Sequence, residues 1–496
     1  MMTLRLSASV AALLLTLPVQ AKPAPLPAIA ALRPVLSLAE RVAEVLVAAP
    51  AGTRFGLLVT TADGREVLAI DPDGRFMPAS NTKLFTTAAA YALLDMAAPD
   101  VAGAAGVILE PRRRGDPDVV LIGRGDAALS SAPDCTTDCL ATLADAIAAK
   151  ARKVTDVIGD DRWFPDERWS PGMSWNNIVT DSGTAISALS VSDNVVPLVV
   201  TPGTVGQPPQ VALSPYFKLE NQAVTIAAGK TTLAYDRAMG GDTVRLYGQI
   251  AAAGTRWSEL LGIDDSAHFA AWNLRQMLEA RGVRVNGTVR VRHRPRTTLD
   301  DPAQRGTQAV APVAGPDWMA RLTAPPLAED VVTINKVSQN LHADLLLRRL
   351  GRIAGTGSIT DGTAALGQVL AGAGLPRTGY DFSDGSGMSS YNRVSPRAAV
   401  TLLRWASAQP WGAAWRASLP IGGVDGTLRR RFIDSPLKGN LWAKTGTLNA
   451  TNALSGYFRA ASGRELVFAF FANDVPEDRG ATATMDAALN LIAAAN

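Results

Sequence analysis

The chain has 496 residues, 47% of them hydrophobic and 19% charged, with 43 Gly and 31 Pro; that balance excludes disorder, collagen-like repeats and long coiled coils. Its 48 Lys+Arg nearly cancel 45 Asp+Glu, leaving +3, and the basic runs Arg112–Arg114 and Arg429–Arg431 are short and lack interleaved aromatics, so nucleic-acid binding has no support. At roughly 100 to 200 residues per domain, the length predicts about two to four domains, each able to bury its own core.

The N-terminus reads as a secretory signal: Arg5, an apolar stretch from Val10 to Leu17, then Pro18-Val19-Gln20-Ala21 with cleavage expected after Ala21. The apolar stretch is shorter than the roughly 20 residues a membrane span needs, and no later segment qualifies. The expected location is therefore outside the cytoplasm, in the periplasm, with peripheral attachment to a membrane left open. An oxidising compartment lets Cys135 and Cys139 pair within Cys-Thr-Thr-Asp-Cys. Neither HExxH nor paired CxxC motifs accompany the scattered His268, His293 and His342, so no metal or other cofactor is expected.

Residues 27 to 49 carry a helical pattern, and Phe55 to Thr60, a Gly64-containing turn and Glu66 to Ile70 read as a hairpin. From about 100 to 325, short β-like runs such as Val119 to Ile122 and Thr243 to Ile250 alternate with Gly/Pro-rich breaks. This texture predicts insertions, bounded near Ala98-Pro99-Asp100 and by the stretch from Arg292 to Pro326, with a further break around 201 to 209. The last part mirrors the first: Leu441 to Leu448, Ala453 to Arg459 and Glu465 to Ala472 read as strands, and Thr482 to Ala495 as a helix. Both ends are expected to share one antiparallel sheet flanked by helices.

Three motifs carry chemistry. At Ser80-Asn81-Thr82-Lys83 a turn leads into a helical run, Leu84 to Leu94, and the i, i+3 spacing brings the Lys83 amine to the Ser80 hydroxyl. A serine is a weak nucleophile until a base takes its proton, and a desolvated lysine can be neutral enough to do so. The bland alternative is a helix cap beside a surface lysine. Ser338-Gln339-Asn340 precedes a helical run from Leu341 to Leu350, so Ser338 can pass a proton and Asn340 can hold an amide; Gln339 is not expected to act. Lys444-Thr445-Gly446-Thr447 lies on a predicted strand, where Gly446 lets a ligand backbone approach and Lys444 and Thr447 can bind a carboxylate.

In the order SxxK, SxN, KTG these form the set used by serine β-lactamases and penicillin-binding proteins. The chain resembles the class C low-molecular-mass penicillin-binding proteins, the exported D-alanyl-D-alanine carboxypeptidase/endopeptidase family, in the long interval between Lys83 and Ser338. Leu121–Asp126, Gly159–Phe164, Ser190–Asn194 and Asp384–Gly387 extend the likeness over nearly the whole mature chain. The resemblance implies an α/β (α+β) transpeptidase/β-lactamase-like domain over 22–98 and 326–496. It implies a β-rich insertion over 99–200 and 270–325, and a further domain, 201–269, nested within it.

The same resemblance implies Ser80 as acylated nucleophile, Lys83 as its base, Ser338 as proton relay, Asn340 as amide ligand and Lys444 as a further cation. The backbone N–H groups of Ser80 and Thr447 would form the oxyanion hole. Thr445, Gly446, Thr447 and Asp160 would bind substrate, with Asp161 an alternative to Asp160 at the amino group of a peptidoglycan diamino acid. Partners would be peptidoglycan peptides, with β-lactams as covalent inhibitors. A β-lactamase or esterase, and a wall-binding protein that keeps the fold without the chemistry, are the competing readings. Lys336 is a candidate to depress the Lys83 pKa, and Asp384 and Ser386 read equally as a turn.

Overall fold

A computed structural model of the chain describes residues 36–310 and 315–496; the expected signal and the first part of the 27–49 helix lie outside them. Residues Leu38–Asn496 make up one compact unit. It opens with helix α1 (Leu38–Leu46), strands β1 (Arg54–Thr61) and β2 (Glu66–Ile70), and helix α2 (Thr82–Leu93). The middle contributes β3 (Gly106–Glu110), β4 (Asp118–Ile122), β5 (Val157–Asp160), β6 (Val289–Arg292) and β7 (Ala320–Arg321). There follow α3 (Leu327–Lys336), α4 (Asn340–Gly351), α5 (Pro396–Ser407), β8 (Leu441–Leu448), β9 (Thr451–Arg459), β10 (Glu465–Asn473) and α6 (Thr482–Ala495).

The two ends share one sheet, in the order β2-β1-β10-β9-β8, antiparallel throughout. Period-2 alternation sends successive side chains of its central strands to opposite faces. Val467, Ala469 and Phe471 of β10 enter a core with Leu84, Phe85 and Leu346. Leu466, Phe468 and Phe470 enter another with Val42 and Leu489, the sides of α1 and α6 that face the sheet. Helices on both faces explain why β10 reads Glu-Leu-Val-Phe-Ala-Phe-Phe-Ala-Asn with almost no polar interruption. Each fully buried phenyl group contributes roughly 1.5–3 kcal/mol of transfer free energy.

A separate core draws on residues between 104 and 324. Its sheet runs β6-β5-β4-β3-β7, with β6, β5 and β4 parallel and β3 and β7 antiparallel to their neighbours. Val200, Phe217, Val244 and Ile250 pack into this same core, so the short strands between 195 and 262 share it. The expected strand Thr243 to Ile250 is two strands, Thr243–Tyr247 and Gln249–Ala251. They part at Gly248, whose φ of 95° suits glycine and whose added Cβ would meet the Thr232 carbonyl at 2.2 Å. Cys135 and Cys139 form a disulfide.

Candidate active site

Ser80 lies in a single 3-10 turn, Ala79–Asn81, immediately before α2, rather than on the α-helix itself. Lys83, the second residue of α2, is fully buried. Its Nζ stands 2.9 Å from Ser80 Oγ, 2.6 Å from Asn340 Oδ1 and 2.6 Å from the Ser386 carbonyl oxygen. Burial pushes its pKa down to about 7, against the pull of Asp344 and Asp384. Asn340 Nδ2 donates to the Ser182 carbonyl (2.9 Å), which fixes the amide so that Oδ1 faces the lysine. The two carbonyl-type acceptors take both N–H groups of a neutral amine and leave its lone pair for the Ser80 hydroxyl.

Ser338 and Gln339 lie in the turn between α3 and α4, with Ser338 at φ 71°, and Asn340 is the first residue of α4. Gln339 is the N-cap of α4, its Oε1 accepting from the Leu341 N–H. Lys444, on edge strand β8, is fully buried and donates to Ser338 Oγ (2.8 Å) and the Thr445 carbonyl (3.0 Å). Its pKa is held well below the usual lysine value, first by burial and then by the charge of Lys83. Asn81 Nδ2 ties the 3-10 turn to the Lys444 carbonyl (3.0 Å). A Cβ on Gly446 would stand 2.8 Å from the Pro78 carbonyl, so only glycine lets β8 lie this close to the Ser80 turn. Ser80, Ser338, Asn340, Thr445, Gly446 and Thr447 all line one cleft of about 550 Å³.

Asp160 is not among the residues lining this cleft. It ends β5, buried, with its carboxylate held by Arg162 through Nε (3.0 Å) and Nη2 (2.6 Å). Asp161 is likewise engaged, accepting from Ser187 Oγ (2.8 Å) and lying 3.0 Å from His293 Nδ1. The acids of the cleft wall are Asp193, which lies in the family-like segment Ser190–Asn194, and Asp181, which no motif singled out. Lys336 is salt-bridged to Asp425 at 2.5 Å and is not among the causes of the Lys83 shift. The Asp384–Gly387 turn belongs to the site through the Ser386 carbonyl. Asp384 holds that turn by accepting from the N–H groups of Gly387 (2.8 Å) and Ser389 (2.5 Å). Gly387 is required there: its φ is 91°, and a Cβ would meet the Ala79 carbonyl at 1.9 Å.

A serine on a buried lysine, facing a second serine–lysine pair across a sheet edge, is the constellation of a serine acyl-transfer enzyme. Residues 38–495 match the D-Ala-D-Ala carboxypeptidase 3 (S13) family, and the chain belongs to it. A D-alanyl-D-alanine carboxypeptidase of Actinomadura sp. (strain R39) is 34% identical over 437 residues, covering 84% of this chain and 77% of that protein. The D-alanyl-D-alanine carboxypeptidase DacB of Haemophilus influenzae is 23% identical over 438 residues, 86% of each chain. In fold, the crystal structure of penicillin binding protein 4 from Haemophilus influenzae superposes with a TM-score of 0.74, covering 90% of this chain and 97% of that one at 20% identity.

Proposed function

We propose that the chain is a serine D-Ala-D-Ala carboxypeptidase that also cuts peptidoglycan cross-links, working through an acyl-enzyme on Ser80. The observation that carries this reading is the 2.9 Å contact of Ser80 Oγ with a lysine amine whose pKa lies near 7. Lys83 takes the hydroxyl proton as Oγ attacks the carbonyl of the penultimate D-alanine, and the Ser80 and Thr447 N–H groups hold the oxyanion. Ser338, hydrogen-bonded to Lys444, relays the proton taken up by Lys83 to the departing D-alanine amine, so that both Lys83 and Ser338 end the step in their starting protonation states. Water then cleaves the ester, returning the proton to Ser80.

Thr445, Gly446 and Thr447 receive the terminal carboxylate of the peptide, and Asn340 its amide. Asp181 gives the cleft wall a carboxylate suited to the ammonium group of a diamino acid; that role falls to it rather than to Asp160, whose carboxylate Arg162 occupies, or to Asp193, which is salt-bridged to His342. A β-lactam acylates the same serine and leaves slowly, in keeping with a cleft lining that holds no glutamate to activate water. The sheet formed by both chain ends supports a catalytic domain over 22–98 and 326–496, and the separate core of the middle supports the insertion. No helix among the described residues is long and apolar enough to cross a membrane, in keeping with an exported enzyme of the periplasm.

Intact-mass spectrometry after incubation with a benzylpenicillin-type β-lactam tests the assignment. A single stable adduct on the wild type, absent from Ser80→Ala, is expected. An intact drug with no adduct, or a consumed drug with none, would instead favour the non-catalytic or the lactamase reading.

A further inference from the structure

The cleft holds a hydroxyl that none of the three motifs supplies. Thr427 lines it together with Ser80, Ser338, Thr445, Gly446 and Thr447, and its Oγ1 lies 2.7 Å from Thr445 Oγ1. Thr427 sits in the 3-10 turn Gly426–Leu428, which follows a stretch laid along the outer edge of β8. There the Ala443 N–H donates to the Pro420 carbonyl (3.0 Å) and the Gly422 N–H to the Leu441 carbonyl (2.9 Å). Past Ala443 the stretch leaves that edge, and Thr445 and Thr447 face the cleft instead.

Three anchors fix where the Thr427 hydroxyl stands. Asp425 Oδ1 accepts from the Ile421 N–H (2.8 Å), and Asp425 Oδ2 pairs with Lys336 Nζ at 2.5 Å. The ion pair ties the turn to the end of α3, two residues before Ser338. Gly426 lies at φ 54° against the same helix end, where an added Cβ would meet the Lys336 carbonyl at 2.7 Å. After Thr427, Leu428 is fully buried among Phe432, Leu437 and Leu441. To carry Thr427 away from the cleft, the turn would have to break the ion pair or open a cavity in this core.

Two hydroxyls in contact carry two hydrogens and use one between their oxygens, which leaves the other for a ligand in the cleft. A carboxylate accepts on both oxygens and forms the stronger, charge-assisted bond, so its arrival turns both hydroxyls toward it, one to each oxygen. A carboxamide offers a single acceptor oxygen and brings two N–H donors of its own, so the pair cannot serve it in this way. We infer that Thr427 binds the terminal carboxylate of the substrate jointly with Thr445, and that this hydroxyl pair selects peptides with a free carboxylate beside the scissile bond. The inference rests on the peptidase reading above and adds to it a residue and a rule of selection. The two hydroxyls already stand together before the ligand comes, so little side-chain ordering remains for it to impose.

Steady-state kinetics on an N-acylated peptide ending in D-Ala-D-Ala, and on the same peptide with a C-terminal carboxamide, test this in the wild type, Thr427→Val and Thr427→Ser. The wild type should prefer the free carboxylate. Thr427→Val removes the hydroxyl at nearly constant shape, and its kcat/KM for the carboxylate peptide should fall about 10- to 100-fold, the range of a hydrogen bond to a charged group. The fall should lie mainly in KM, since the contact is made in ground state and transition state alike. The carboxamide peptide should be little affected, and Thr427→Ser should restore most of the loss. An equal loss on both peptides would show that Thr427 only shapes the cleft, and a wild-type preference retained in Thr427→Val would show that it does not touch the carboxylate. Either result overturns the inference and leaves the peptidase reading standing, whereas a wild type that releases no D-alanine overturns that reading and the inference with it. Should Thr427→Val fail to fold, Thr427→Ala takes its place.

Discussion

Lys83 reaches Ser80 Oγ across 2.9 Å while its own side chain is sealed from water. Asn340 Oδ1 and the Ser386 carbonyl, each at 2.6 Å, receive its other hydrogens. This arrangement suits the amine to the role of base proposed for it. Lys83→Arg keeps the charge but cannot supply a lone pair, since a guanidinium does not deprotonate in proteins. The variant is expected to lose about 10³-fold or more in kcat/KM for D-alanine release and in the rate of β-lactam acylation. Retention of more than a tenth of either rate would remove Lys83 as the base.

The pH profile follows from the same lysine. Its pKa lies near 7, and only the neutral amine accepts the Ser80 proton, so acylation should rise with pH through about 7 and level off above it. Asp344, whose own carboxyl is pushed up to about 7 by burial and by Asp384, favours the charged form of Lys83. Asp344→Asn removes that support while its amide oxygen can still accept the Gly385 N–H, now 2.7 Å from Asp344 Oδ1. The acidic limb of kcat/KM should move to lower pH by about half to one unit. A limb that stays fixed or moves upward would contradict this role of Asp344.

Burial of an uncompensated lysine also has a cost in stability. For Lys83 the folded pKa lies below the unfolded value of 10.5, so the unfolded chain binds more protons between about 7 and 10.5 and the penalty fades only as pH rises through that window. Lys83→Met, close in volume, should therefore abolish acylation and yet raise the chemical-denaturation midpoint at pH 7. A lowered midpoint at pH 7 would show that the three hydrogen bonds of Lys83 outweigh its desolvation.

The motifs made the site legible because each is local: Ser80 and Lys83 sit one turn apart, and Lys444 to Thr447 run along one strand. The strands of β1 and β10 were equally legible, since apolar runs bounded by Gly-containing turns leave few alternatives. What joins these pieces is not local. Asp344 and the Ser386 carbonyl meet Lys83 only through long-range packing, and Asp181 and Asp193 reach the cleft from the insertion without any periodic signal. Asp160 stood in an attractive Gly-Asp-Asp-Arg segment, yet Arg162, two residues on, folds back onto its carboxylate. Residue type alone does not distinguish an acid aimed at a cleft from one answered by its neighbour.

His342, two residues beyond Asn340 on α4, is clamped between Asp330 Oδ1 (2.5 Å to Nδ1) and Asp193 Oδ1 (3.0 Å to Nε2). Burial disfavours its charge, but the two carboxylates prevail and raise its pKa to about 10. The folded pKa exceeds the unfolded 6.5, so the stabilisation is complete below about pH 6.5 and is lost as pH rises through about 10. His342→Gln should destabilise the protein by about 3 kcal/mol at pH 6. The difference from wild type should shrink steadily toward pH 10 in denaturant titrations. A difference independent of pH would mean that the histidine is held neutral.

Gly387 supplies the closest backbone approach in the site. Its φ of 91° is unfavourable for any other residue, and a Cβ there would overlap the Ala79 carbonyl at 1.9 Å. Ala79 itself sits at φ 47°, so the turn that carries Ser80 is already held in a sparsely populated conformation by what packs against it. Gly387→Ala must push the Ser386–Gly387 backbone away from this turn, which moves the Ser386 carbonyl off Lys83 and shifts the Ser80 N–H. The expected result is a loss of about 2–3 kcal/mol in stability and a fall of about 10²-fold in the acylation rate. Binding of non-covalent peptide should weaken much less, because Thr445 and Thr447 are carried by β8 and not by the displaced Ser386–Gly387 backbone. Acylation kinetics by stopped flow separate the two, and an unchanged acylation rate would show that the turn keeps its geometry without this contact.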